Sequence, residues 1–203
     1  MSFFFSHRAQ AEPLMKAPPT VRLRLARPED AAFIFSLRID EGLNKHLSNA
    51  PDSEVSQRAW LEHYCTREDA GNEFYFIIQN KATGQDCGTV RIYDLRADSF
   101  CWGSWILNDA KPRLAAVESM IFVYEFGFGL LNFPASHFDV RRGNDRVISF
   151  HEKTGAKRTS ETEQDVFFSI SRADFAVQLP RLVQATGYPL VMLSADAPQE
   201  RAL

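Results

Sequence analysis

The sequence predicts a single α/β (α+β) domain built on a mixed central sheet, in which an antiparallel meander joins one parallel crossover pair and helices flank the faces. Three observations carry this. Strand, long helix, second strand and short helix follow one another within residues 100–155, which requires a parallel pair with a right-handed crossover. Ahead of them, three apolar runs are separated only by short polar turns, which makes those neighbours antiparallel. The whole order (strand, two helices, three strands, helix, strand, helix, strand) departs from the strict alternation of a doubly wound sheet.

In chain order, residues 1–20 carry Pro13, Pro18 and Pro19 and read as an N-terminal extension outside the core, its Phe3, Phe4 and Phe5 docking on the domain's own surface or a neighbour's. Val21, Leu23 and Leu25 alternate with Arg22, Arg24 and Ala26, giving a half-buried first strand. Pro28, Glu29 and Asp30 suit a helix start that Ala31, Ile34 and Phe35 continue. After a polar link over 41–51, Ser53 caps a second helix through Trp60, Leu61 and Tyr64. The meander strands are Phe74 to Ile78, apolar enough to be buried on both faces, then Cys87 to Leu95, then Phe100 to Leu107. A helix opens near Pro112, with Leu114, Val117, Ile121, Tyr124, Phe128 and Leu131 at helical spacing over about five turns. Ser136 to Val140 forms a short strand, Asn144 opens a helix that Gly155 stops, and Val166 to Ile170 is a last strand. A helix over Arg172 to Thr186 is interrupted at Pro180, and the tail frays from Ser194. The domain proper is expected over 21–175, with 176–203 as C-terminal helix and tail.

Composition narrows the function classes. At 203 residues, 45% hydrophobic and 24% charged, the chain suits one domain with a sizeable core. A net charge of −3 with interspersed signs gives no electrostatic case for nucleic acid or an anionic membrane surface. No apolar run reaches the roughly 18 residues of a membrane span, and no signal-peptide core is found, so neither a membrane nor export is expected. Cys65, Cys87 and Cys101 lack metal-ligand spacing and read as reduced thiols in the cytoplasm; no metal is expected.

One set of residues goes further. Asn144, Val147, His151 and Gly155, with Ile148, Glu152 and Lys153 between them, stand at the spacing of the second signature of the GCN5-related N-acetyltransferases (Asn, three on an Ala, seven on a Tyr, eleven on a Gly). Val147 replaces the Ala, His151 the Tyr, and Ala156 the aromatic that follows the Gly. The glycine-rich pyrophosphate loop reads here as glycine-free, in either of two registers, 109–114 or 111–116. Trp105 and Glu118 fall where related amino-terminal and nucleotide-sugar acetyltransferases have an aromatic and an acid. The chain resembles that family over about Val21 to Phe175.

The resemblance implies acetyl-coenzyme A as co-substrate, with the backbone of Ile106, Leu107 and Asn108 facing the pantetheine arm and the main chain of 111–115 facing the pyrophosphate. There Lys111 and Arg113 would offset the missing glycines, while Leu114 crowds the approach and Ala115 begins the helix. Asn144 would cap its helix and face the coenzyme. His151, in the Tyr position, would protonate the departing thiolate or take a proton from the amine, as against packing as a half-buried side chain. His46, Glu73, Tyr93, Asp94, Trp102 and Ser104 are candidates for the acceptor pocket or for a base acting through water. The acceptor is expected to be a small-molecule amine, first an amino sugar on a nucleotide in surface-polysaccharide biosynthesis. A protein N-terminus is the rival acceptor, a fold-retaining binding protein without catalysis is the rival class, and a homodimer stays open.

Overall fold

The computed structural model describes residues 3–47 and 51–193, with side chains from residue 9 onward. The elements are α1 (Phe3–Lys16), β1 (Val21–Leu25), α2 (Ala31–Ile39), α3 (Glu54–Asp69), β2 (Phe74–Asn80), β3 (Asp86–Tyr93), β4 (Ser99–Leu107), α4 (Ala115–Tyr124), β5 (Ala135–Arg141), α5 (Asp145–Lys153), β6 (Lys157–Glu161), β7 (Asp165–Ser171) and α6 (Arg172–Thr186). Seven strands form one sheet in the order β1-β2-β3-β4-β5-β7-β6. Every neighbouring pair is antiparallel except β4 with β5, whose crossover contains α4. The mixed α/β expectation therefore holds, with the parallel pair where it was placed.

Helices cover both faces. Tyr75 and Ile77 of β2 pack with Ala26, Ala31, Ile34, Leu61 and Tyr64 under α2 and α3. Phe74, Phe76 and Ile78 point the other way into the larger core, with Phe100, Phe122, Phe126, Phe128, Phe138, Phe168 and Phe175. The unbroken apolar run of β2 thus serves two cores. Each fully buried Phe contributes about 2 kcal/mol of burial free energy. Ser53 caps α3 as expected, its side chain accepting from the Ser56 N–H.

Four elements differ from the sequence reading. The first 20 residues are not outside the core: α1 carries Pro13 within it and buries Ala11 and Leu14. Its end is tied down by Glu118 of α4, fully buried, which accepts from the Thr20 N–H at 2.9 Å, the Thr20 hydroxyl at 2.9 Å and the Val21 N–H at 3.1 Å. The five-turn crossover helix is instead α4 followed by a π-helical stretch, Glu125–Leu130. There the Glu125 carboxylate accepts the backbone N–H groups of Val191, Met192 and Leu193, and a Cβ on Gly127 would lie 2.1 Å from the Phe100 ring. Pro180 does not interrupt α6. β6, exposed throughout and paired only with β7, has no alternation from which it is readable. The triple-Phe side chains, residues 48–50 of the link and the tail from Ser194 lie outside the described residues.

Candidate active site

The site begins where two parallel strands part. β4 and β5 pair only through Ser99, Phe100 and Cys101 against Ala135, Ser136 and His137, although β4 runs on to Leu107 and β5 to Arg141. A bulge accompanies the parting: the β3–β4 register shifts between Thr89 and Arg91, and Ser104 takes a left-handed φ of 46°. The Thr89 hydroxyl holds this backbone by donating to the Ser104 carbonyl at 2.8 Å. Gly103 gives room beside it, since a Cβ there would sit 2.9 Å from the Tyr93 hydroxyl.

A cleft of about 280 Å³ occupies the parting. Register fixes which side chains face which way. Tyr93 opposes Cys101 and Cys101 opposes His137, so Arg91, Tyr93, Asp139 and Arg141 share the face that α2 and α3 partly cover. Trp102 and Phe138 alternate with them and face the larger core. Both sets line the cleft, which therefore passes through the sheet.

On the first face the lining is charged. Arg91 is held by Glu73 at 2.5 Å and lies over the Tyr93 ring at 4.4 Å and the Trp60 ring at 5.0 Å. Glu73 also accepts from Arg67 at 2.7 Å. Arg141 donates to Gln164 at 2.9 Å and stands 3.4 Å from Asp165. Arg38 and His46 complete this side. The Asp139 carboxyl is pushed up by burial, then by the neighbouring Asp165 charge.

On the other face the lining is aromatic. His151 is 3% exposed, among the rings of Trp102, Trp105, Phe138, Phe150 and Phe168. Its Nδ1 is buried with no hydrogen-bond partner, and burial pushes its pKa down to about 3. The imidazole is neutral at physiological pH, neither a protonated acid nor a useful base in this state.

Of the expected residues, His46, Tyr93, Trp102, Ser104, Asn144 and His151 come together in the cleft. Glu73 and Asp94 do not line it. Glu73 is buried as the anchor of Arg67 and Arg91, and Asp94 is exposed, paired with Arg96 at 2.6 Å and His137 at 3.0 Å. Asn144 occupies the N-cap position of α5, yet its side chain makes no capping bond. Ile106 and Leu107 end β4, Asn108 opens the loop, and the loop leads to Leu114 at the N-cap of α4. No side chain caps this turn, the place where a helix has unpaired amide donors, although the Ala115 N–H donates to the Pro112 carbonyl at 3.1 Å. Arg113 is exposed, whereas Lys111 folds back to the Asn108 carbonyl at 3.2 Å. Sequence reasoning missed Arg38, Arg91, Asp139, Arg141 and Asp165. The signal was present on β5, where polar His137, Asp139 and Arg141 alternate with buried Ser136, Phe138 and Val140.

Comparison with known proteins agrees with this arrangement. The acetyltransferase (GNAT) domain model matches residues 20–157, so the chain belongs to the GNAT acetyltransferase family and is an acyl-CoA-dependent N-acetyltransferase. Among solved structures, apo FdhC, a nucleotide-linked sugar GNAT, is 41% identical with a TM-score of 0.77, over 84% of this chain and 97% of that one. Spermidine N-acetyltransferase from Vibrio cholerae in complex with CoA and spermine is similar in fold alone, at 16% identity and a TM-score of 0.65 over 77% and 98% of the two chains. No curated protein matches the chain.

Proposed function

We propose that this enzyme acetylates the amino group of a sugar carried on a nucleotide, by direct attack within a ternary complex. One observation carries the reading: Arg38, Arg91 and Arg141, with His46, line the acceptor face of the cleft against two carboxylates, Asp139 and Asp165. A polyamine needs the opposite balance, whereas a diphosphate suits planar, bidentate guanidinium donors. Arg91 is suited to this because Glu73 and two aromatic rings already fix it. The 41% identity to a nucleotide-linked sugar GNAT supports the same class.

Acetyl-coenzyme A supplies the acetyl thioester. In this reading Ile106, Leu107 and Asn108 offer backbone to the pantetheine arm, and Lys111, Arg113, Leu114 and Ala115 form the pyrophosphate end with main-chain donors. Asn144, free of capping, faces the cleft from α5. Tyr93, Trp102, Ser104 and His46 wall the acceptor. Neutral His151 acts as a hydrogen-bond donor to the thioester carbonyl, since an N–H aimed at developing negative charge needs no titration. Inhibition kinetics test the acceptor. Nucleoside diphosphates are expected to compete with the acceptor and not with acetyl-coenzyme A; no competition with the acceptor contradicts the reading.

A further inference from the structure

The arginine face also holds one carboxylate that no ion pair ties down, although the Arg141 charge acts on it. Asp139, exposed, lines the cleft from the middle of β5, and among the described residues it makes no ion pair and no hydrogen bond to another side chain. Its acidic neighbour Asp165, two residues from the position directly opposite Asp139 on β7, stands 3.4 Å from Arg141, and its buried Oδ1 makes no hydrogen bond. Across the same opening, the buried His151 has no polar partner either. Asp139 is exposed to the cleft, where a ligand's cation reaches it, and His151 is a buried polar group that a ligand in the same cleft would complete.

We propose that Asp139 is the group that receives the acceptor's ammonium and takes its proton before attack. The assignment rests on the reading above that an amine is acetylated in this cleft, whichever amine it is. A primary amine arrives as R–NH3+ and is unreactive while its lone pair holds a proton. The Asp139 carboxylate pairs with it and accepts one proton, becoming a carboxylic acid and leaving R–NH2. The nitrogen lone pair then forms the C–N bond to the thioester carbon, and collapse breaks the C–S bond, whose electron pair leaves on sulfur. The second nitrogen proton ends on the thiolate, and Asp139 returns its proton to solvent, so one acetamide, one thiol and one proton are produced. Burial and the Asp165 charge raise the carboxyl above its ordinary range, which makes it the better acceptor.

The charged and titratable groups around Asp139 are Arg141 and His137 on β5, Asp165 on β7, Arg91 and Tyr93 on β3, Cys101 on β4, Arg38 on α2 and His46 in the following turn. Asp165 and His46 also line the cleft, and the Asp139 variants distinguish Asp139 from them. Burial raises Tyr93 and Cys101, and His137 is already bonded to Ser99 and Asp94.

The test compares wild type, Asp139→Asn and Asp139→Glu with a nucleotide-linked amino sugar and, in parallel, free amino sugars, polyamines and N-terminal peptides. Which amine reacts judges the substrate reading; the effect of the variants on whichever amine reacts judges Asp139. Asp139→Asn is expected to lower kcat about a hundredfold or more with the KM for acetyl-coenzyme A unchanged, and Asp139→Glu to recover part of it. The pH profile separates chemistry from structure. In the wild type kcat/KM levels off between the carboxyl and amine pKa values, whereas in Asp139→Asn only free amine reacts and kcat/KM rises about tenfold per pH unit up to the amine pKa. A kcat within about threefold of wild type, or a loss confined to the amine KM with the plateau retained, overturns the proposal.

Discussion

His151 shows how one residue changes meaning once its surroundings are known. Its place in the signature suggests acid–base work near neutral pH, yet five aromatic rings strip it of water and hold it neutral. The sign of the resulting linkage follows. An unfolded histidine titrates near 6.5 and the folded one near 3, so between these values the unfolded chain binds a proton that the folded chain refuses. Stability from this group is complete above about pH 6.5 and falls as pH drops towards 3, by up to about 1.4 kcal/mol per unit. In urea unfolding at pH 7 and pH 5, His151→Phe is expected to lose less stability between the two than wild type. The same folded variant should turn over about a hundredfold more slowly if the imidazole N–H meets the thioester. Arg91 gives a second test at this scale. Arg91→Lys keeps the charge but loses the fork and the stacking on Trp60 and Tyr93, so steady-state kinetics should show the acceptor KM raised about tenfold with the acetyl-coenzyme A KM unmoved.

At the scale of elements, the crossover after β4 is under the greatest constraint. Gly127 sits in the π-helical turn with Phe100 against its Cα, so Gly127→Ala should cost about 3 kcal/mol, seen as a lowered Tm, with Phe100→Leu restoring part of it. The opposite end of the crossover contains the glycine-free loop. Changing Lys111 and Arg113 to Ala is expected to weaken acetyl-coenzyme A binding by about 1 to 3 kcal/mol in titration calorimetry; unchanged affinity would leave recognition to the main chain alone. The strands other than β6 were legible because apolar runs and polar turns leave direct marks, as in Phe74 to Ile78. What stayed hidden depends on distant partners. Nothing near Pro13 indicates that Glu118, about 100 residues on, fastens the end of that segment, and no local pattern marks the π turn that Glu125 stabilises through the backbone of 191–193. For the site, the signature positions Asn144 and His151 were readable. The arginines were not, because their convergence depends on α2, β3 and β5 meeting around the parted strands.

For the molecule as a whole, the proposed function has one sheet, parted between β4 and β5, serve two substrates from opposite sides. In that reading the uncapped start of α4 suits the coenzyme's pyrophosphate and the aromatic lining around His151 the thioester, while the arginines beyond the sheet suit a charged acceptor. The central claim is that the acceptor is recognised by its nucleotide as well as its amine. The direct measurement is kcat/KM, with products identified by mass spectrometry, for an amino sugar linked to a nucleoside diphosphate, the same sugar without the nucleotide, and spermidine. The nucleotide-linked sugar is expected to exceed the free sugar by a hundredfold or more, about 3 kcal/mol, with that advantage falling in Arg91→Lys. Equal rates for the linked and free sugar, or faster acetylation of spermidine, would contradict it.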